Sequence, residues 1–147
     1  LRKRSRRLPH WTKRGALYFV TFRLNRGVLA EEERRCVLNH IREGDGRFYH
    51  LFGCVVMPDH VHALLQPISP YDLPRVMEGI KGVSGRIVND MRNARGNLWQ
   101  DESLDRIVRD DAELEEKASY MYMNPVRAGI CQDPETWSAR HFNLRQQ

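Results

Sequence analysis

The chain has 147 residues, 41% of them hydrophobic and 29% charged, with a formal net charge of +5. This is the size and balance of one ordinary globular domain. No apolar run approaches the roughly 20 residues that a bilayer requires, and the basic first segment has no apolar stretch behind it, which argues against a secretory signal. Cys36, Cys54 and Cys131 are widely spaced and form no Cys-x-x-Cys pair. That leaves out a zinc ribbon or a thioredoxin-like motif and predicts buried or idle thiols in a reducing compartment.

The charge is unevenly placed. Arg2, Lys3, Arg4, Arg6, Arg7, Lys13 and Arg14 fall within the first 14 residues, which contain no acid, while the remaining bases are slightly outnumbered by the 19 acids. A basic arm ahead of a near-neutral domain suits the phosphates of a nucleic acid. A lipid surface is a poorer match, because the arm has no apolar face.

Residues 16–24 alternate apolar and aromatic side chains and predict a strand. Residues 30–43 predict a charged helix with Cys36, Val37, Leu38 and Ile41 as its apolar strip, ended by Gly44 and Gly46. Residues 48–57 and 60–66 predict two strands joined by the Pro58-Asp59 turn, with Gly53 as a bulge. Residues 72–95 carry the clearest helical period, through Leu73, Val76, Met77, Ile80, Val83, Ile87 and Met91. Gly79, Gly82 and Gly85 mark one flank of that helix for close approach by the sheet or by a ligand. Residues 104–108 predict a fourth strand. Asp110 and Glu113 open a last helix that Pro125 stops at residue 124. The order βαββαβ predicts an α+β, ferredoxin-like fold, an antiparallel sheet with helices on one face plus an extra C-terminal helix. Residues 1–14 form the arm, 15–130 the folded domain, and 131–147 a polar tail anchored by Trp137.

Within the second hairpin strand, His60 and His62 point to one face. Such a pair can hold a divalent metal through two neutral imidazoles, though by itself it more often marks half-buried, hydrogen-bonded histidines. A reactive metal site needs a further ligand and open positions. Asn124 can supply an amide oxygen, and Tyr120, one turn before it, lies on the same helical face. Two nitrogens and an oxygen suit Mg or Mn. Asp59 is placed to orient the first imidazole. Tyr122 faces elsewhere and is read as a packing or stacking residue. Glu116 and Lys117 are the nearest candidates for a proton acceptor.

The run Met57-Pro58-Asp59-His60-Val61-His62, with Tyr120-Met121-Tyr122-Met123-Asn124-Pro125-Val126-Arg127-Ala128-Gly129, resembles the REP-associated tyrosine transposases, single-tyrosine members of the His-hydrophobic-His endonucleases. Tyr18–Arg23, Ile80-Lys81-Gly82, Leu98-Trp99-Gln100 and Asp105–Asp110 extend the likeness, which spans residues 9–130. The resemblance implies a metal held by His60, His62 and Asn124, with Tyr120 as nucleophile. It implies a 5′-phosphotyrosine intermediate whose bond energy is kept for rejoining to a 3′-hydroxyl. The expected substrate is single-stranded DNA beside an imperfect hairpin, a repetitive extragenic palindrome, in the bacterial cytoplasm and nucleoid. A monomer is favoured, and a dimer is the alternative. The basic arm, Lys81 and Arg127 are the candidate DNA contacts, with Arg86 beside them, and His10, Trp11 and Trp99 the candidate stacking residues, of which Trp99 also suits a core position. The rival readings are a non-catalytic DNA-hairpin-binding regulator and a metal phosphodiesterase that uses activated water.

Overall fold

The computed structural model describes residues 15–145. The arm bases Arg2, Lys3, Arg4, Arg6, Arg7, Lys13 and Arg14, together with His10 and Trp11, lie outside the described residues. The strands β1 (Leu17–Arg23), β2 (Tyr49–Val56), β3 (His60–Pro67), β4 (Leu104–Val108) and β5 (Arg140–Phe142) form one antiparallel sheet in the order β4-β1-β3-β2-β5. The helices are α1 (Glu31–Glu43), α2 (Leu73–Arg92), α3 (Asp111–Tyr122) and the single turn α4 (Asn124–Arg127). The expected βαββαβ order is therefore present, with α3 as the additional helix.

Alternation along β1 and β3 divides the side chains between two faces. Val20, Phe22, Val61 and Ala63 meet α1 and α2, whereas Phe19, Thr21, His60, His62 and Leu64 face α3. Both faces of the central strands are covered, so β3 is buried over six consecutive residues rather than alternately. On the α1–α2 side, Trp99 packs edge-on against Phe22, with ring centroids 4.7 Å apart, and its Nε1–H donates to Ser84 Oγ at 2.9 Å. Trp99 is thus a core residue and unavailable for base stacking.

Asp72 caps α2 by accepting from the Arg75 N–H at 3.0 Å. The helix ends earlier than periodicity predicts, because Asn93 takes a left-handed conformation with φ of 56°, which asparagine tolerates better than most residues. The tightly packed flank expected at Gly79, Gly82 and Gly85 does not form. A side-chain carbon at Gly79 or Gly82 would meet nothing, and one at Gly85 would make only ordinary contact with Leu98 and Trp99.

Gly53 does sit at the expected bulge, where the β2–β3 register shifts between Leu51 and Gly53. A Cβ there would lie 2.8 Å from the Phe142 ring and 3.5 Å from Met121 of α3. This gap lets α3 and the C-terminal segment close on the sheet. The segment expected to be a polar tail supplies β5, which pairs with β2. Trp137 anchors it as expected: its indole N–H donates to the Val56 carbonyl at 3.1 Å, and Arg34 lies over its ring at 4.7 Å.

The last helix departs from expectation at its end. It stops at Tyr122, and Pro125 opens a second short turn, α4, instead of releasing the chain. Proline is well suited to the first positions of a helix because its missing N–H has no intrahelical partner there. Gly129, at φ of 77°, ends that turn.

Candidate active site

Antiparallel register brings Thr21 opposite His62 and Arg23 opposite His60. The two imidazole centroids are 4.7 Å apart, near-perpendicular at 75°. α3 buries Leu114, Ala118 and Met121 against the sheet, which swings Tyr120 over the histidine end of β3. Its ring lies 5.6 Å from that of His62, and Asn124 Oδ1 lies 3.2 Å from His60 Nε2. The structure therefore brings together all four residues expected to form the centre: His60, His62, Tyr120 and Asn124.

Each imidazole is oriented from behind. His60 Nδ1 is 2.8 Å from an Asp59 carboxylate oxygen, which only accepts, so the Nδ1 proton donates and Nε2 is the nitrogen left to face the site. The same bond holds the Asp59 carboxyl below its ordinary range. His62 Nδ1 is 2.7 Å from Thr21 Oγ1. Burial, followed by the charges of His60, Arg23 and Arg127, pushes the His62 pKa down to about 3, so the ring is neutral at physiological pH. A neutral imidazole held from its Nδ1 side is the form that ligates a metal.

The donor set fits a divalent cation. His60 Nε2 and Asn124 Oδ1 face each other at 3.2 Å, an imidazole nitrogen and an amide oxygen, and both atoms are able to ligate a divalent cation once the nitrogen carries no proton. Among the described residues no trio of His, Cys, Asp and Glu converges. The third candidate donor is the amide of Asn124, which is only 8% exposed and keeps its oxygen within hydrogen-bond distance of His60.

Phe19 is the residue that sequence reasoning missed most plainly. It stacks on His62 at 5.3 Å and 19°, and meets Tyr120 edge-on at 6.3 Å and 84°. It thus sets the planes of both rings. Lys117 Nζ sits 5.4 Å over Phe19, so Lys117 lies near the nucleophile, whereas Glu116 points to solvent. Thr21 and Arg23 were likewise missed as individual contributors, although both stand in the motif Tyr18–Arg23. Arg127 lies over the Tyr120 ring, its guanidinium carbon 3.8 Å from the centroid.

Lys81 is not brought to this centre. It lies on α2, across the sheet, and its ammonium donates to the Asp101 carbonyl at 2.9 Å and to Ser103 Oγ at 3.1 Å. Tyr122 is also apart: its hydroxyl donates to Glu135, which Arg140 pairs at 2.9 Å, and that bond raises the phenol's pKa. Tyr122 is thus engaged with the C-terminal segment, whereas Tyr120 faces the histidines.

The arrangement sets imidazole and amide donors beside a phenol, the groups that a metal-assisted phosphoryl transfer uses. The chain is 22% identical to the REP-associated tyrosine transposase of Escherichia coli K12, over 91% of the chain and 80% of that protein. It is also 22% identical to a Haemophilus influenzae protein provisionally given the same name, over 88% of the chain and 81% of the relative. Its fold matches the structure of a REP-associated tyrosine transposase bound to a REP hairpin with a TM-score of 0.70, at 16% identity, covering 100% of this chain and 92% of the other. The family described as IS200-like transposases matches residues 23–120, which run from Arg23, opposite His60, to the candidate nucleophile. The chain belongs to the IS200-like tyrosine transposases, enzymes that cut and join DNA.

Proposed function

We propose that this chain is a metal-dependent single-stranded DNA endonuclease and strand transferase that acts at hairpin-forming palindromic repeats through a 5′-phosphotyrosine intermediate. The observation that carries this reading is the convergence of Tyr120 with His60, His62 and Asn124 from elements about 60 residues apart in sequence. The hairpin partner is inferred from the relatives, one of which was solved with a REP hairpin.

In the proposed reaction the Tyr120 oxygen attacks the scissile phosphorus in line. The Tyr–O–P bond forms, the bond from phosphorus to the 3′ oxygen breaks, and the departing oxygen takes up a proton as a 3′-hydroxyl. The phenol proton passes to solvent or to a neighbouring base. Attack by a 3′-hydroxyl on the phosphotyrosine runs the same exchange backwards and rejoins the strand. His60, His62 and Asn124 would hold a divalent cation, Mg or Mn, which when bound would supply charge neutralisation at the scissile phosphate. Asp59 keeps a proton on His60 Nδ1, Thr21 holds the His62 ring from its Nδ1 side, and Phe19 keeps the phenol facing them. Tyr120 meets His62 of its own chain, which supports a monomer with the nucleophile acting in cis. The basic arm supplies the phosphate contacts that hold the hairpin. Action in the bacterial cytoplasm, at the nucleoid, follows from a DNA substrate; among the described residues no helix is long and apolar enough to cross a membrane.

The test is cleavage of a labelled hairpin oligonucleotide with a single-stranded flank. Tyr120→Phe is expected to abolish cleavage with hairpin affinity within about threefold of wild type, and chelation is expected to stop the wild-type enzyme until Mg or Mn is restored. Full cleavage by Tyr120→Phe would favour water as the nucleophile. Hairpin binding by the wild type with no cleavage at any metal concentration would favour a non-catalytic regulator.

A further inference from the structure

Tyr120 is 46% exposed, yet three groups fix its ring. His62 and Phe19 meet it at steep angles, and the Arg127 guanidinium lies 3.8 Å from its centroid. We propose that Arg127 is a positioning residue for the nucleophile: its planar guanidinium stacks on the Tyr120 ring and holds the phenol in the attack geometry. This deepens the proposed function and rests on Tyr120 being the nucleophile.

The backbone explains why Arg127 can do this. Asn124 and Arg127 are the first and last residues of the short turn α4. That turn is locked at both ends, by Arg127 N–H to the Met123 carbonyl at 2.9 Å and Ala128 N–H to the Asn124 carbonyl at 2.9 Å. Gly129 then closes it in a left-handed conformation. Met123, helical in its own backbone, joins α3 to α4, and the turn carries the buried amide toward His60 while its exposed last residue lies over Tyr120. A single rigid turn therefore places both the third metal donor and the cation on the nucleophile's ring. Pro125, which is buried, makes this turn possible.

A guanidinium on an aromatic face is a directional contact that lysine does not reproduce, because the ammonium is a point charge without a plane to stack. A ring that is half in solvent and loses this contact samples other rotamers, and misplacing a reacting atom by about 1 Å costs on the order of 100-fold in rate. A surface arginine that merely follows the DNA strand would behave differently. Its loss would weaken binding and flatten the dependence of log K on log salt by about 0.7 per lost single-strand contact.

The experiment compares wild type, Arg127→Ala, Arg127→Met and Arg127→Lys on one hairpin substrate. Each is measured for single-turnover cleavage, for hairpin affinity across a salt series, and for the Tyr120 ring resonances of the DNA-free protein. Arg127→Met keeps the apolar stem and guards against loss of folding. The expected result is a fall of about 100-fold in cleavage rate for Arg127→Ala and Arg127→Met, partial recovery at most in Arg127→Lys, and an unchanged salt slope. The Tyr120 resonances shift in every variant, while those of Trp137 stay in place. Unchanged Tyr120 resonances, or a wild-type cleavage rate combined with a flattened salt slope, would overturn the assignment and leave Arg127 as a strand contact. A wild-type protein that cleaves without any Tyr120 adduct would overturn the nucleophile itself, whereas an adduct formed equally fast by Arg127→Ala overturns only the positioning role.

Discussion

Thr21 and Asp59 orient the two imidazoles in different ways, and only one of them is readable from sequence. Asp59 adjoins His60, so its role follows from adjacency. Thr21 is 41 residues from His62, and only the β1–β3 register puts them side by side. Phe19 is hidden for the same reason, since a strand phenylalanine is expected to be core and nothing local marks it as the plate between His62 and Tyr120. Replacing Thr21 with Val removes the hydroxyl while nearly keeping the shape. The expected outcome is a loss of about 10- to 100-fold in Mn affinity, read by calorimetry on the DNA-free protein with no loss of cooperative unfolding; unchanged affinity would remove Thr21 from the site. Tyr122→Phe loses only the bond to Glu135 and is expected to cleave at the wild-type rate, in contrast to Tyr120→Phe. Equal losses in the two variants would show that the helix, rather than one phenol, is being disturbed.

Among the elements, those long enough to show a period were legible: β1, α1, the β2–β3 hairpin and α2 all fall within a few residues of expectation. β5 has three residues, too few for any alternation to register, and its existence depends on Trp137 docking beneath Val56. The end of α3 misled because Pro125 has two effects. It restricts the residue before it, which predicts a stop, and it is favoured at the start of a helix, which here produces a new turn. Between α1 and α2 the tie is ionic. Arg92 Nε donates to Glu33 at 2.8 Å, and the Glu33 side chain is 11% exposed. Hydrogen bonds from Arg92 are the main cause of its lowered pKa. A carboxyl whose folded pKa lies below its unfolded value of about 4.5 contributes stability that is complete above that value and lost as pH falls through the folded one. Glu33→Gln is therefore expected to lower stability at pH 7 by about 1–3 kcal/mol. The difference from wild type in urea midpoint should shrink below pH 4.5. A difference that persists unchanged to low pH would mean that packing, and not charge, joins the two helices.

For the whole molecule, charge and chemistry are carried by separate parts of the chain. The seven bases among the first 14 residues give the protein its net positive charge, while the reacting groups sit on a near-neutral domain. Deleting residues 1–7 removes five of those bases. If each contacts a phosphate, the salt dependence of hairpin affinity should flatten by about 0.7–0.9 per lost contact, with cleavage of saturating substrate little changed; an unaltered slope would take the arm out of DNA binding. The fold class could be read from element order alone. The site could be read only as two halves, because their meeting requires α3 to cross the face of β3 that carries the histidines, and no local pattern encodes that crossing. The most direct measurement is mass spectrometry of the protein after reaction with a cleavable hairpin and Mg or Mn. A DNA fragment covalently attached through its 5′ phosphate to the peptide containing Tyr120, and absent in Tyr120→Phe, is the predicted result. Cleaved DNA with an unmodified Tyr120 peptide would contradict the account.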